Sequence, residues 1–275
     1  MPLQEALSEY TQFQVENFRP FSDRLTRKKT MTNKPIAVVT GASSGIGAAT
    51  ARHLAAAGYD LILGARRMDR LQAVAEPLGA RALMLDVTDA KSVQAFCDQI
   101  SSVNVLVNNA GGALGVETVA DAVDEKWETM YDSNVLGTMR MVRGLLPKME
   151  ASGAGHIIVI GSVAGIEVYP GGGGYTAAKH AVKAVTETLR VELVGKPIRV
   201  TEVAPGLVET EFSIVRFGGD AERAKKPYLG MTPLSADDVA DAIVWAVTRP
   251  AHVNIDTLVI KPLDQATATL IHRKS

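Results

Sequence analysis

The sequence feature that most constrains the fold is a glycine-rich stretch, Thr40-Gly41-Ala42-Ser43-Ser44-Gly45-Ile46-Gly47. An apolar segment at 36–39 before it predicts a short buried strand, and an alanine-rich segment at 48–57 after it predicts a helix. A strand, a glycine turn and a helix in this order form a cradle for a pyrophosphate, because the helix start presents free N–H groups and its positive dipole end. The spacing, G-x3-G-x-G, differs from the common G-x-G-x-x-G fingerprint. We expect these residues to bind a dinucleotide: Gly41, Ser43, Ser44, Gly45, Ile46 and Gly47. The alternative is a glycine turn without a ligand.

The composition narrows the class of protein. The 29 basic and 30 acidic residues nearly cancel, which gives no general argument for binding nucleic acid or an anionic membrane. The single cysteine, Cys97, excludes an intrachain disulfide framework and suits a reducing cytosol. No apolar run approaches the ~20 residues that span a bilayer, and residues 1–30 lack the apolar core of a signal peptide. The histidines do not cluster, so no metal site is predicted. We expect a cytoplasmic protein.

The N-terminal residues 1–34 are polar and mixed in charge, and we expect a weakly ordered extension. The segment Met31-Thr32-Asn33-Lys34-Pro35 leads straight into the first predicted strand, as a native start would. The residues before it are compatible with an upstream extension, an expression artefact or a partner-binding arm.

Strand-like and helix-like segments alternate from residue 35 onward. Strands are predicted at 36–39, 59–64, 82–86, 104–108, 156–161, 198–203 and 257–260. Helices are predicted at 48–57, 68–77, 89–100, 124–149, 175–194 and 236–248. This alternation predicts an α/β fold, a doubly wound parallel sheet of the Rossmann type, in a single domain covering 35–275. The long, poorly periodic stretch 205–233, called the lid segment below, is expected to close over a substrate.

Tyr175 and Lys179 lie one helical turn apart in the pattern Tyr-x3-Lys, on one face of the predicted helix. A free tyrosine has a pKa near ~10, and an adjacent ammonium lowers the pKa enough for acid–base catalysis near neutral pH. The alternative is a surface tyrosine beside a solvated lysine. Ser162 weakens that alternative, because it ends the fifth strand at the sheet edge where ligands bind in such folds.

The end of the second strand predicts the cofactor. A carboxylate there would bind the ribose hydroxyls of NAD, whereas arginine would bind the 2′-phosphate of NADP. The sequence has Arg66 and Arg67 and no acid before Asp69. Arginine suits a phosphate because its planar group donates several hydrogen bonds. The alternative is a solvated arginine pair, an awkward arrangement at a helix start unless an anion compensates it. We expect NADP.

The motifs at 40–47, 108–111, Asn134, Ser162 and Tyr175 with Lys179 resemble, in order and spacing, those of the classical short-chain dehydrogenases/reductases over about residues 35–262. The resemblance implies that Tyr175 donates or accepts the proton and that Ser162 hydrogen-bonds the substrate oxygen. It implies that Lys179 lowers the Tyr175 pKa and binds the nicotinamide ribose. Asn134 would support a water that leads protons to Lys179, the alternative being a packing hydrogen bond. It also implies cofactor contacts at Asp86, Val87, Asn108, Ala110, Pro205, Gly206, Val208 and Thr210.

Asp86 has an alternative of its own, a helix-capping carboxylate ahead of Asp89. For the glycine run 171–174, directly before Tyr175, the sequence gives no functional account.

The segments 211–220 and 250–257 are similar to those of bacterial NADP-dependent 3-hydroxy acid dehydrogenases. That similarity implies a homotetramer acting on serine, allo-threonine and related 3-hydroxy acids. Arg216, in the lid segment, is then the candidate for binding the substrate carboxylate, and the alternative is that it pairs with Glu209 or Glu211. Two other functions stay open: a broad carbonyl reductase with the same chemistry, and a non-catalytic NADPH-binding sensor, which would have no need of the acid–base residues.

Overall fold

The computed structural model describes residues 34–274. The predicted extension 1–34 lies outside the described residues except for Lys34. The described part forms a unit that begins at Pro35.

Seven strands form one fully parallel sheet in the order β3-β2-β1-β4-β5-β6-β7. The strands are β1 (Ile36–Thr40), β2 (Asp60–Ala65), β3 (Arg81–Met84), β4 (Val105–Asn108), β5 (Gly155–Ile160), β6 (Ile198–Pro205) and β7 (Thr257–Ile260). The order reverses between β1 and β4, and the crevice beyond the carboxyl ends of these two strands is where doubly wound sheets bind ligands. The predicted fold class is confirmed.

Helices cover both faces of the sheet. They are α1 (Gly45–Ala56), α2 (Met68–Ala75), α3 (Ala90–Asp98), α4 (Asp124–Tyr131), α5 (Gly137–Ala151), α6 (Gly173–Glu192), α7 (Glu211–Arg216), α8 (Ala221–Lys225) and α9 (Ala236–Val247). Short 3-10 turns occupy Glu76–Leu78, Val163–Gly165 and Lys226–Tyr228. The lid segment therefore contains two short helices and a 3-10 turn, where the sequence showed no clear period. Within residues 34–274, no helix combines the length and the apolar composition needed to cross a bilayer.

The core consists of two apolar layers, one on each face of the sheet. Neighbouring strand residues alternate between the layers: Val38 faces the layer that contains Phe96 and Met141, and Val39 faces the layer that contains Leu54. Strands covered on both faces need continuous apolar runs, which is why β1, β4 and β5 could be recognised in the sequence.

The long helix predicted at 124–149 is present, and it contains one wider turn. Residues Asp132–Leu136 form a π-helical turn between α4 and α5. The Arg140 side chain spans this turn and donates to the Asp132 carboxylate (2.7 Å) and the Val87 carbonyl (3.0 Å). Wider turns of this kind are rare and occur often at functional sites. This one carries Asn134.

His156 in β5 makes folding stability depend on pH. Its ring is fully buried and hydrogen-bonds the Thr201 hydroxyl at 2.7 Å. Burial, aided by the charge of Arg199, lowers the pKa of His156 from 6.5 to about 3. Below pH 6.5 the unfolded chain therefore binds a proton that the folded chain does not, so the stability contributed by this residue falls as the pH falls toward 3.

We expect acidification to destabilise the wild type more steeply than His156→Gln, with a difference in slope of up to ~1.4 kcal/mol per pH unit. Denaturant unfolding of both proteins between about pH 7 and pH 4 measures this difference. Parallel stability curves would show that His156 is not the residue responsible.

Candidate active site

The glycine stretch has the geometry of a phosphate cradle. Gly41 adopts a positive φ of 64°, and a Cβ at Gly47 would lie 2.4 Å from the Gly41 carbonyl oxygen, so neither position accommodates a side chain. The first turn of α1 contains no acidic residue, and its N-cap, Ser44, makes no side-chain cap hydrogen bond. The helix start is therefore left for an anion from outside.

Hydrogen bonds between the ends of β1 and β4 hold the glycine turn in place. The Thr40 hydroxyl accepts hydrogen bonds from the backbone amides of Asn109 and Ala110, each at 3.0 Å. The Asn109 side chain donates in return to the carbonyls of Thr40 (2.9 Å) and Gly41 (3.2 Å). Thr40 and Asn109 belong to motifs seen in the sequence, but we did not predict them as site residues. The two residues are 69 positions apart in the sequence, and the pairing of β1 with β4 brings them together.

Asn108 ends β4, and both polar atoms of its buried amide lack a hydrogen-bond partner. Buried amides are almost always paired, so an orphan beside a phosphate cradle indicates a place for a polar ligand. The unpaired Asn108 amide, the tightly packed glycines and the start of α1 without a capping side chain together fit a site that binds a dinucleotide.

The predicted cofactor residues on β3 have local partners. The Asp86 carboxylate accepts hydrogen bonds from the Thr88 amide (3.0 Å) and hydroxyl (2.7 Å). Burial raises the pKa of Asp86, but these bonds and the charge of Arg66 outweigh it and lower the pKa. Asp89, not Asp86, caps α3, so the capping alternative for Asp86 is wrong. Its predicted contact with adenine, and that of the buried Val87, stays a prediction.

The arginine pair follows β2 as predicted, and an anion does compensate it. Arg67 is exposed at the N-cap position of α2 and makes no capping hydrogen bond; its side chain donates to the Ser44 hydroxyl (2.8 Å) and to the Glu211 carboxylate (3.0 Å). Arg66 is exposed and acts on Asp86 through its charge. Arg67, the glycine turn and the start of α7 therefore meet at the carboxyl edge of the sheet.

The predicted residues after β6 lie at the same end of the sheet. Pro205 ends β6, the Gly206 amide donates to the Ile260 carbonyl at 2.8 Å, and buried Val208 pairs with Leu234 in an isolated bridge. The Thr210 side chain caps α7 and lies 3.4 Å from the position of a Cβ on Gly45. Contact of these four residues with a cofactor stays a prediction.

Tyr175 and Lys179 project from the first turns of α6, where both are buried. The Tyr175 phenol forms a hydrogen bond with Ser162, and the Lys179 ammonium donates to the Ile160 carbonyl at 2.8 Å. The Ser162 hydroxyl also accepts from the Ala164 amide at 3.1 Å, which fixes its rotamer. The structure thus brings together three of the four predicted catalytic residues, Ser162, Tyr175 and Lys179, and the alternative of a surface tyrosine is wrong.

The pKa of Tyr175 is raised, whereas a pKa lowered by Lys179 was expected. Burial and the neighbouring Tyr169 raise the pKa of Tyr175, while the Ser162 hydrogen bond and the Arg216 charge lower it and only partly compensate. The free phenol is therefore protonated at neutral pH. The Lys179 ammonium lies 5.8 Å from the ring centre of Tyr175, and its pKa-lowering role stays a prediction.

Behind Lys179 lies a carboxylate that we did not predict, Glu202 in β6. It is fully buried, and its Oε1 has no hydrogen-bond partner. Burial lowers the pKa of Lys179 to about 8, and Glu202 acts against that shift; burial likewise raises the pKa of Glu202. A carboxylate in the middle of a predicted buried strand was the signal that could have identified it.

Asn134 lies in the π-helical turn. Its amide nitrogen donates to the carbonyls of Gly112 (2.9 Å) and Met130 (2.7 Å), and its buried Oδ1 lacks a partner. The alternative role, a packing hydrogen bond, therefore explains the amide nitrogen of Asn134, whereas its Oδ1 is free to accept a hydrogen bond from a water. The water-positioning role stays a prediction.

Arg216 pairs with neither Glu209 nor Glu211, so the predicted alternative for this residue is wrong. Its half-buried guanidinium donates to the Gly115 carbonyl (3.1 Å), the Tyr169 hydroxyl (3.0 Å) and the Gly171 carbonyl (3.3 Å). It lies 5.8 Å from the ring centre of Tyr175, and both residues line the same pocket. The structure therefore places a cation beside the Tyr175 ring.

The glycine run 171–174 has a packing explanation. Gly171 has a φ of 73°, and a Cβ there would lie 2.6 Å from the Val116 carbonyl oxygen. A Cβ at Gly174 would lie 2.4 Å from the Met130 Cε and 2.9 Å from the Trp127 ring. The missing side chains let the start of α6 approach the pocket wall.

Comparison with known proteins agrees with this geometry. A family model described as short chain dehydrogenase matches residues 35–217. An uncharacterised oxidoreductase of Mycobacterium tuberculosis is 59% identical over 86% of this chain and 95% of its own. The sulfoacetaldehyde reductase 2 of Chromohalobacter salexigens is 45% identical over 84% of this chain and 95% of its own. The NADP-dependent 3-hydroxy acid dehydrogenase YdfG of Salmonella typhi is 44% identical over 86% of this chain and 99% of its own.

Among solved structures, the closed form of serine dehydrogenase complexed with NADP+ superposes with a TM-score of 0.83 at 42% identity. That match covers 87% of this chain and all of the other. The predicted resemblance is confirmed: the chain belongs to the short-chain dehydrogenase family of oxidoreductases.

Proposed function

We propose that this protein is an NADP-dependent dehydrogenase that transfers a hydride between nicotinamide and the hydroxyl-bearing carbon of a small 3-hydroxy acid or β-hydroxy amino acid. The observation that carries the proposal is the Arg216 guanidinium, which lines one pocket with Tyr175 at 5.8 Å from its ring centre. A substrate whose oxygen meets Tyr175 and Ser162 can then place an acid group near Arg216. The relatives named for 3-hydroxy acids and for sulfoacetaldehyde act on compounds that carry such an acid group.

Residues of this chain supply the acid–base chemistry. NADP, when bound, supplies the acceptor or donor of the hydride. In the direction of oxidation, Tyr175 acts after its phenol has lost its proton to solvent: the phenolate oxygen takes the proton of the substrate hydroxyl as the hydride leaves the substrate carbon with the electron pair of the C–H bond. In reduction the protonated phenol donates its proton to the substrate oxygen. Ser162 hydrogen-bonds the substrate oxygen, and Lys179 stabilises the phenolate. The unpartnered Asn134 Oδ1 supports its role in a water-mediated proton path.

The proposal is tested by assaying the purified protein with 3-hydroxy acids and β-hydroxy amino acids in the presence of NADP+ or NAD+, and with uncharged ketones in the presence of NADPH or NADH. We expect NADP-dependent oxidation of the acids to have the highest kcat/KM. Higher kcat/KM for uncharged ketones would instead establish a broad carbonyl reductase, and binding without turnover would establish a sensor.

The arginines at 66–67 provide a sharper test of cofactor choice. We expect Arg66→Ala and Arg67→Ala each to reduce the NADP/NAD ratio of kcat/KM by roughly tenfold, since each removes a charge-assisted phosphate contact from an exposed position. Asp69→Asn, which changes charge in the same helix, is the control. An unchanged ratio in both arginine variants would place the 2′-phosphate elsewhere.

We further propose that the protein is a cytoplasmic homotetramer. Its single cysteine supports the location, and the resemblance to 3-hydroxy acid dehydrogenases supports the assembly. Light scattering of the purified protein measures the oligomeric state.

A further inference from the structure

The pocket beside Tyr175 contains a carboxylate as well as the Arg216 guanidinium. Glu117, in the segment that follows β4, lines this pocket together with Gly115, Tyr175 and Arg216. The Lys126 ammonium of α4 donates a hydrogen bond to the Glu117 Oε1. This hydrogen bond lowers the pKa of Glu117, so its carboxylate is charged at neutral pH. The pocket therefore presents both signs of charge to a substrate.

Glu117 and Arg216 flank the same glycine. Arg216 bonds to Gly115 twice: its Nε donates to the Gly115 carbonyl (3.1 Å), and its own carbonyl accepts from the Gly115 amide (3.0 Å). The Glu117 Oε2 would overlap a Cβ on Gly115, which has a φ of 69°. A glycine is thus required here by backbone conformation and by space, and it brings the carboxylate and the guanidinium close to one residue.

The two opposite charges do not pair with each other. Within residues 34–274, the Arg216 guanidinium forms hydrogen bonds with neutral groups only, two carbonyls and one hydroxyl. The ion-pair partner of Glu117 is Lys126, which approaches the other carboxylate oxygen. Opposite charges that share a pocket without pairing can each bind a complementary group of one ligand.

A β-hydroxy amino acid carries the matching pair of charges. Its carboxylate and its ammonium are bonded to the same carbon, so the groups that bind them have to lie side by side. Its hydroxyl is on the next carbon. With the carboxylate on Arg216, the ammonium can meet Glu117 while the hydroxyl faces Tyr175, whose ring centre is 5.8 Å from the guanidinium. An acid without the amino group would leave Glu117 without a partner and would bring a like charge toward it, which disfavours that acid.

We propose that Glu117 binds the ammonium of the substrate, so that the pocket selects β-hydroxy amino acids over 3-hydroxy acids that lack an amino group. This inference rests on the proposed function, in which Arg216 binds the acid group. It assigns part of the substrate selection to the segment after β4, outside the lid segment.

The test compares racemic serine with 3-hydroxypropionate, since these two acids differ by the amino group alone. The kcat/KM for each is measured with NADP+ near neutral pH, where the amino group of serine is protonated. We expect the wild type to prefer serine, and Glu117→Gln to lose roughly tenfold in kcat/KM for serine, the lower end for a charge-assisted hydrogen bond because Glu117 is partly exposed. The kcat/KM of Glu117→Gln for 3-hydroxypropionate should not fall.

Lys126→Gln is the matched control, because it breaks the same ion pair from the other side and leaves the Glu117 carboxylate in place. This variant should keep or increase the preference for serine. Parallel losses on both acids in the two variants would overturn the proposal, since Glu117 would then only hold the pocket wall through Lys126. A wild type that oxidises both acids without preferring serine would overturn it as well. A wild type that oxidises neither acid with NADP+ would instead overturn the proposed function, so the two failures are distinct.

Discussion

Replacing Tyr175 with phenylalanine is expected to reduce kcat by at least about a hundredfold, the usual contribution of a positioned general acid–base group. The phenol oxygen is the only atom removed, and this oxygen hydrogen-bonds Ser162. The remaining ring keeps its packing against Phe212, at 5.4 Å between centroids, so the fold is preserved. NADPH binding should stay within a few-fold, because the glycine turn and Lys179 are untouched.

Steady-state kinetics and a fluorescence titration with NADPH measure the two effects. Tyr169→Phe is the matched control: it also removes one tyrosine hydroxyl, which accepts a hydrogen bond from Arg216 at 3.0 Å. Activity of Tyr175→Phe above about one tenth of wild type would exclude Tyr175 from the acid–base role, since a general acid–base contributes more than that.

The sequence predicted the fold, and the proximity of Ser162, Tyr175 and Lys179, because the signals for both are local. The strand, glycine turn and helix at 36–57 are contiguous, and the Tyr-x3-Lys pair lies within one helical turn. Ser162 directly follows β5, at the edge of the parallel sheet where ligands bind, and Tyr175 begins the next helix, so the two side chains could be expected at the same edge.

The features that sequence reasoning missed depend on long-range contacts or on small local changes. Glu211 pairs with Arg67 across 144 residues, and Arg216 contacts Gly115 across 101. No spacing in the chain specifies such partners. The π-helical turn at Asp132–Leu136 widens one turn without disturbing the apolar pattern around it, so the segment had the periodicity of a single helix.

Arg216→Ala is expected to reduce kcat/KM for a 3-hydroxy acid by ~2–3 kcal/mol, or roughly 30- to 150-fold, while largely sparing its methyl ester. The guanidinium uses three hydrogen bonds to hold the Gly115 carbonyl, the Tyr169 hydroxyl and the Gly171 carbonyl. Arginine has five N–H donors, so two remain for a carboxylate. Because the guanidinium is half-buried, we expect its contact with a substrate carboxylate to be stronger than an ion pair at the surface.

The ester separates recognition from structure. Loss of the hydrogen bonds to Gly115 and Gly171 would disturb the pocket for both substrates alike, whereas loss of a carboxylate contact affects the acid alone. Arg216→Lys keeps the charge without the planar group and should retain part of the preference for the acid. Equal losses on acid and ester in Arg216→Ala would mean that Arg216 only fixes the pocket wall, and the protein would then be a carbonyl reductase without selection for an acid group.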